Sequence, residues 1–246
     1  MAEVIAERPS PYYLSTADGM SDDYIHYARK LVSMSYQTLC CRQLQQLNPP
    51  AFRPWSDEEN LAFGQEKARL TELGAMLASN VIPSLGLDGE ALRTEAESSL
   101  TAGRKLEMVT APFESWADGV VFRYLYSMVL TGQLSAVIGS NYVPYANWAQ
   151  ETYFSFCLKK WPTPIGSPHF GRMERTIAEE GREMVQRHLE QAWPRAMRSF
   201  GADGSANEAA YLRLGLKTRS NQMCRRLFLD RIEPDFKQLG LTAPSR

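Results

Sequence analysis

The chain is short of the residues from which most metal and redox sites are built. Of its 246 residues only three are histidine and four are cysteine, namely Cys40, Cys41, Cys157 and Cys224. The cysteines form no Cys-x-x-Cys pair, which excludes a zinc ribbon or thioredoxin-like chemistry and leaves free buried thiols as the expectation. Long hydrophobic runs are missing too. The most apolar window, Gly119 to Gly139, is interrupted by Arg123, Gln133 and several hydroxyl residues, so it predicts a buried helix and not a membrane span. The N-terminal stretch has acidic residues early and no continuous apolar segment, which argues against a secretory signal. Charge of one sign is not in excess either. The 27 Lys and Arg against 28 Asp and Glu leave −1, and no like-charge run offers a surface for nucleic acid or an anionic membrane. A cytoplasmic protein is the expectation.

What is present is helical periodicity, with no period-2 run competing. Residues 1–20, with Pro9 and Pro11, read as an extended arm, and residues 21–246 as a single domain. Ser21, Asp22 and Asp23 cap a first helix to about Leu47, which Asn48-Pro49-Pro50 ends. Ser56-Asp57-Glu58-Glu59 has the form of a capping box for a second helix, reaching roughly Asn80 before Pro83. A weaker helical pattern covers about 89 to 105. Ser115-Trp116-Ala117-Asp118 starts the most apolar helix, which ends near Gly139. After Pro144 the pattern resumes from Asn147 to Lys160, and WPTPIGSP then breaks it. One helix is predicted from about Phe170 to Phe200 with Pro194 near its end, and Ser205-Ala206-Asn207-Glu208 caps the last, to roughly Ile232. The class is all-α, a bundle of about six or seven helices.

Several of these segments carry a resemblance. SWAD at 115–118, Tyr142-x-Pro144-Tyr145-Ala146, Trp193-Pro194 followed by Phe200-Gly201, and the ending LKTRSNQ…RRLFLDRIEP…LGLTAP resemble the catalytic large subunit of bacterial phenylacetyl-CoA epoxidase, of phenylacetate catabolism. The likeness starts near Met20. It implies a ferritin-like helical bundle with additional helices, and in the family a di-iron centre that activates O₂ to epoxidise an aryl-CoA ring. It also implies a multisubunit complex with a metal-free sister subunit and a reductase.

In such bundles each of two helices gives one carboxylate and each of two others gives Glu-x-x-His, because i and i+3 share a helix face. Aligned on the family, the first carboxylate position falls at Leu39 and the first Glu-x-x-His at Lys67 and Leu70. The carboxylate of the apolar helix falls at Ser127, and the second Glu-x-x-His at Phe156 and Lys159. None keeps a ligating side chain of the expected type. The histidines, His26 near the start of the first helix, His169 in the breaker loop and His188 on the sixth helix, belong to no Glu-x-x-His and read as structural or surface residues. No metal and no di-iron cofactor is therefore expected. Losing two cations from a core calls for fewer acids or added bases, so Lys67 and Lys159 are expected to pair with acids such as Glu66, Glu151 or Asp118. The competing reading of each lysine is a solvated helix face.

Lys217, Asn221 and Arg225, spaced i, i+4 and i+8, are expected on one face of the last helix, where the resemblance implies contacts to CoA phosphates; a polar outer face is the plainer reading. Phe122, Tyr124, Tyr126, Tyr153, Phe154 and Phe156 read as core, or as the lining of a cavity for an aromatic group. Tyr126 and Tyr153 matter if buried, since each hydroxyl then needs a partner. Three functions follow. The first is a metal-free structural subunit that supports a ferritin-like catalytic partner in a multicomponent acyl-CoA or aromatic monooxygenase. The second is an enzyme reusing the emptied cavity on a thioester or biosynthetic intermediate, as a homo-oligomer. The third is an atypical di-iron oxygenase. The partners expected are a protein subunit or a second copy, with an acyl-CoA ligand open, and neither nucleic acid nor membrane.

Overall fold

The structure, a computed structural model, describes residues 20–47, 57–102, 113–155 and 168–244. Those residues are all-α. In chain order the elements are α1 (Asp22–Leu47), α2 (Asp57–Met76), α3 (Gly89–Ala102), α4 (Trp116–Val137), α5 (Val143–Tyr153), α6 (Pro168–Glu180), α7 (Arg182–Arg198), α8 (Ala206–Arg213) and α9 (Asn221–Leu239). The expected arm, the Ser56 capping box and the WPTPIGS breaker lie outside the described residues, Met20 excepted.

Side-chain oxygens start these helices by accepting backbone N–H groups that no carbonyl can satisfy. Ser21 Oγ accepts from Tyr24 N at 3.2 Å, Ser115 Oγ from Asp118 N at 3.1 Å and Ser205 Oγ from Glu208 N at 3.3 Å. Asp88 Oδ1 does the same for α3, taking Glu90 N at 2.9 Å and Ala91 N at 3.1 Å.

Four boundaries differ from the sequence expectation. Where one helix was predicted from Phe170 to Phe200, Gly181 adopts φ 91° and separates α6 from α7. Where Ser205 was expected to cap the final helix, Gly215 at φ 71° closes α8, and Ser220 caps α9 afresh by accepting Met223 N at 3.1 Å. Both backbone positions are left-handed, which glycine adopts without a Cβ clash. The helix expected from Asn147 begins at Val143 instead, because Pro144 falls in its first turn, where a missing N–H removes no helical bond. Finally, α2 runs into a π-helical turn, Leu77–Val81, and a last helical turn, Ile82–Ser84. Pro83 has no N–H for an α-helical bond, and the backbone just before it shifts to the wider pattern, with Ile82 N bonding Leu77 O.

At the centre lies α4, buried on nearly every side and packed against α5, α6, α7 and α9. The other layer is α1, against α2, α3 and α8. The two layers meet along a core that includes Leu39, Leu70, Phe122, Tyr126, Trp148 and Met173. Two donors lock α2 in place: Gln43 Nε2 to Leu70 O at 2.9 Å and Trp148 Nε1 to Leu73 O at 3.1 Å. Among the described residues no helix is long and apolar enough to cross a membrane.

Candidate functional site

The buried stripe of α1 passes through Tyr24, Ala28, Leu31 and Leu39, and the next residue on it, three positions on, is Arg42. Periodicity thus carries a guanidinium into the core, where it is 1% exposed. A charge there needs a counter-charge. Glu66 of α2 provides it, with Arg42 Nη2 donating to Oε1 at 2.8 Å. The rest of the guanidinium lies 5.2 Å from the Phe122 ring centroid and 5.5 Å from that of Tyr126, both on α4, so two aromatic faces complete its surroundings.

The electrostatics follow from this placement. Burial would raise the Glu66 carboxyl, but Arg42, followed by His169, Arg123 and Arg172, outweighs it and holds the group at about 2. His169, in the first turn of α6, has its imidazole pushed down to about 3, because burial and the surrounding arginines outweigh the pull of Glu66. Burial pushes the Tyr126 phenol up to about 12. At neutral pH the cluster therefore holds a fixed ion pair, a neutral imidazole and a neutral phenol. Arg42 Nε and Nη1, Tyr126 Oη and His169 Nδ1 are buried with no hydrogen-bond partner among the described residues.

The aligned ligand positions fall around this cluster. Leu39 and Leu70 are 3% and 1% exposed, each one turn from Arg42 or Glu66, and fill volume. Ser127 is spent on its own helix, its hydroxyl donating to Tyr124 O at 2.8 Å. Lys67 is exposed. The expected Lys67–Glu66 pairing is thus corrected: successive residues on a helix point about 100° apart, and with Glu66 turned inward Lys67 turns out. Phe156 and Lys159 lie outside the described residues. Of the other acids proposed for lysines, Glu151 meets Arg69 at 3.5 Å and Asp118 Oδ2 accepts Glu114 N at 2.9 Å. His169 sits on a helix and not in a loop, since Pro168 opens α6. His26 is exposed against Tyr27, and His188 lies buried with Nε2 3.0 Å from Ser115 Oγ.

At the described aligned positions Leu39, Lys67, Leu70 and Ser127 offer iron neither a carboxylate nor an imidazole. Glu66, a carboxylate turned into this part of the core, is bonded to the Arg42 guanidinium, a cation where a metal ion would have to sit.

The three residues expected at CoA phosphates do not share a helix face. Lys217 lies in the α8–α9 connection, its Nζ 5.4 Å from the Tyr211 ring centroid, and burial lowers its pKa. Asn221 Nδ2 donates to Ala202 O at 3.0 Å. Arg225 donates to Asp203 Oδ2 at 2.7 Å and Gly201 O at 2.8 Å. Asn221 and Arg225 thus hold the 201–205 connection, which buried Glu208 of α8 also holds by accepting Gly204 N, and Glu208 accepts Asn221 N as well. Among the aromatics, Tyr124 is buried and donates to Asp235 Oδ2 at 2.8 Å. Tyr153 is part-buried and accepts from Arg231 Nη2 at 3.2 Å, while Phe154 is exposed. Cys40, Cys41 and Cys224 are free and buried; Cys157 is outside the described residues.

Sequence reasoning passed over Arg42. The signal was there, since 28, 31, 39 and 42 keep one stripe, and an arginine on an apolar stripe demands a buried acid. The model of one protein family, described as phenylacetic acid catabolic protein, matches residues 96–246, from the middle of α3 through α9. It includes Phe122, Tyr126 and His169 and stops short of Arg42 and Glu66. No curated protein matches the chain.

Proposed function

The chain belongs to the phenylacetic acid catabolic protein family, which is ferritin-like, and from that premise we propose that it is a metal-free accessory subunit of a multicomponent acyl-CoA or aromatic monooxygenase. The observation that carries this reading is the Arg42–Glu66 pair under the Phe122 and Tyr126 rings. In this pair between α1 and α2, roofed by α4, the Arg42 guanidinium answers the Glu66 carboxylate in the core, where a catalytic member needs a metal. Leu39 and Leu70 close the neighbouring turns with apolar volume. Such a core gives rigidity and nothing that must change oxidation state. Its contribution to a reaction is then to hold a ferritin-like catalytic subunit, as the family's metal-free sister subunit does. One cytoplasmic domain over 21–246 belongs to the same proposal.

Coexpression with the ferritin-like catalytic subunit of the same source tests it. Co-elution of the two chains, with turnover lost when this chain is omitted, is expected. Turnover by the partner alone at the same rate overturns the accessory role.

A second reading, an enzyme without metal that reuses the bundle core, is favoured by the unpartnered donors of Arg42 and Tyr126. Retained acyl-CoA binding at Lys217, Asn221 and Arg225 belongs with it. That role requires Asn221 and Arg225 to release the 201–205 loop, so CoA binding is expected to expose this loop to protease. An atypical di-iron oxygenase is the least supported, because the Arg42 cation opposes metal at Glu66.

A further inference from the structure

We propose that the core cluster of Arg42, Tyr126 and His169 is a binding site for a small carboxylate-class monoanion. Three observations converge. First, the Arg42 guanidinium is 1% exposed, and Glu66 takes one of its three nitrogens; Nε and Nη1 keep their hydrogens without a partner among the described residues. Second, Tyr126 Oη, on the residue whose ring flanks that guanidinium, and His169 Nδ1 are likewise buried and unpartnered. Third, these atoms come from three separate helices, α1, α4 and α6, and the Arg42 charge acts on both the Tyr126 phenol and the His169 imidazole. Buried polar atoms are nearly always satisfied, and unsatisfied donors on neighbouring side chains, as on Arg42 and Tyr126, mark a missing acceptor.

The chemistry of that acceptor follows from the donors. A guanidinium offers N–H groups suited to a carboxylate or another small anion, and a neutral phenol offers one more. Arg42, Arg123 and Arg172 act on both Glu66 and His169, with Glu66 opposing them at the imidazole. The Phe122 and Tyr126 rings beside the guanidinium exclude water and strengthen a charged hydrogen bond. A cation would meet Arg42, and a molecule without an acceptor would leave its Nε and Nη1 hydrogens unanswered. This inference goes beyond the accessory role and holds whether or not a partner subunit is bound.

The test uses the full chain, treated with chelator, and follows thermal unfolding at pH 7 during titration with sodium formate. Sodium sulfate at matched ionic strength is the control. The expected result is a saturable rise in Tm with formate above that with sulfate, and a several-fold weaker response in Tyr126→Phe. That variant keeps the ring over Arg42 and loses only the hydroxyl, so it remains folded where Arg42 variants risk collapse. A formate response equal to sulfate overturns the anion site and leaves the metal-free reading standing. So does a saturable rise that Tyr126→Phe leaves unchanged, because the ion is then adventitious and sits elsewhere. A formate response that appears only when iron is added back overturns both, since the anion is then bound to metal.

Discussion

Replacing Glu66 with glutamine removes the counter-charge of a guanidinium that is 1% exposed, and its cost can be worked out in two ways. Breaking a buried pair from one side costs about 3–5 kcal/mol, because the remaining charge is left desolvated. Independently, the carboxyl falls from its ordinary value of 4.5 to about 2 on folding, which corresponds to about 3 kcal/mol at about 1.4 kcal/mol per unit. A glutamine oxygen still accepts from Arg42, so the lower figure, about 3 kcal/mol, is expected for Glu66→Gln. The sign sets the pH window. A carboxyl with a depressed folded value lends its full stability above pH 4.5 and loses it as pH falls toward 2. Urea unfolding of wild type and variant between pH 2.5 and 7, conditions chosen to bracket that window, should show the gap closing on the acid side. Arg42→Met with Glu66→Met, which replaces the pair by apolar volume, should recover much of the loss. A Glu66→Gln cost under about 1 kcal/mol at pH 7, or a gap independent of pH, refutes the buried pair.

Further expectations are smaller. Ser115→Ala removes the α4 cap and the partner of His188 Nε2, and should cost about 1–2 kcal/mol in urea unfolding. Gly215→Ala places a Cβ 2.6 Å from Asn141 Nδ2 at φ 71°, and should cost about 1–3 kcal/mol by the same assay. Lys67→Ala should stay within about 0.5 kcal/mol of wild type, because that side chain is exposed. A loss comparable to that of Glu66→Gln would restore Lys67 to the core.

The parts of the fold legible in the sequence were those with local chemical causes. Ser21, Ser115 and Ser205 start helices as expected because a cap needs only a hydroxyl and the N–H three residues on. Gly181 and Gly215 were passed over because a lone glycine in an apolar period is compatible with a continuous helix, and only packing decides that the chain turns there. That error had a consequence for the site. It put Lys217 on the last helix, in line with Asn221 and Arg225, when it belongs to the connection before that helix. The inward direction of α2 was legible to within one residue, and one residue separates Glu66 in the core from Lys67 in water. The Arg42–Glu66 contact spans two helices, and no spacing within either one encodes it.

The central claim is that a fixed cation, and not iron, stands beside Glu66. Metal content of the full-length protein, expressed in iron-rich medium and purified without chelator, tests this most directly. The account predicts iron far below one per chain. A content near two irons per chain, about the complement of a di-iron bundle, would contradict it.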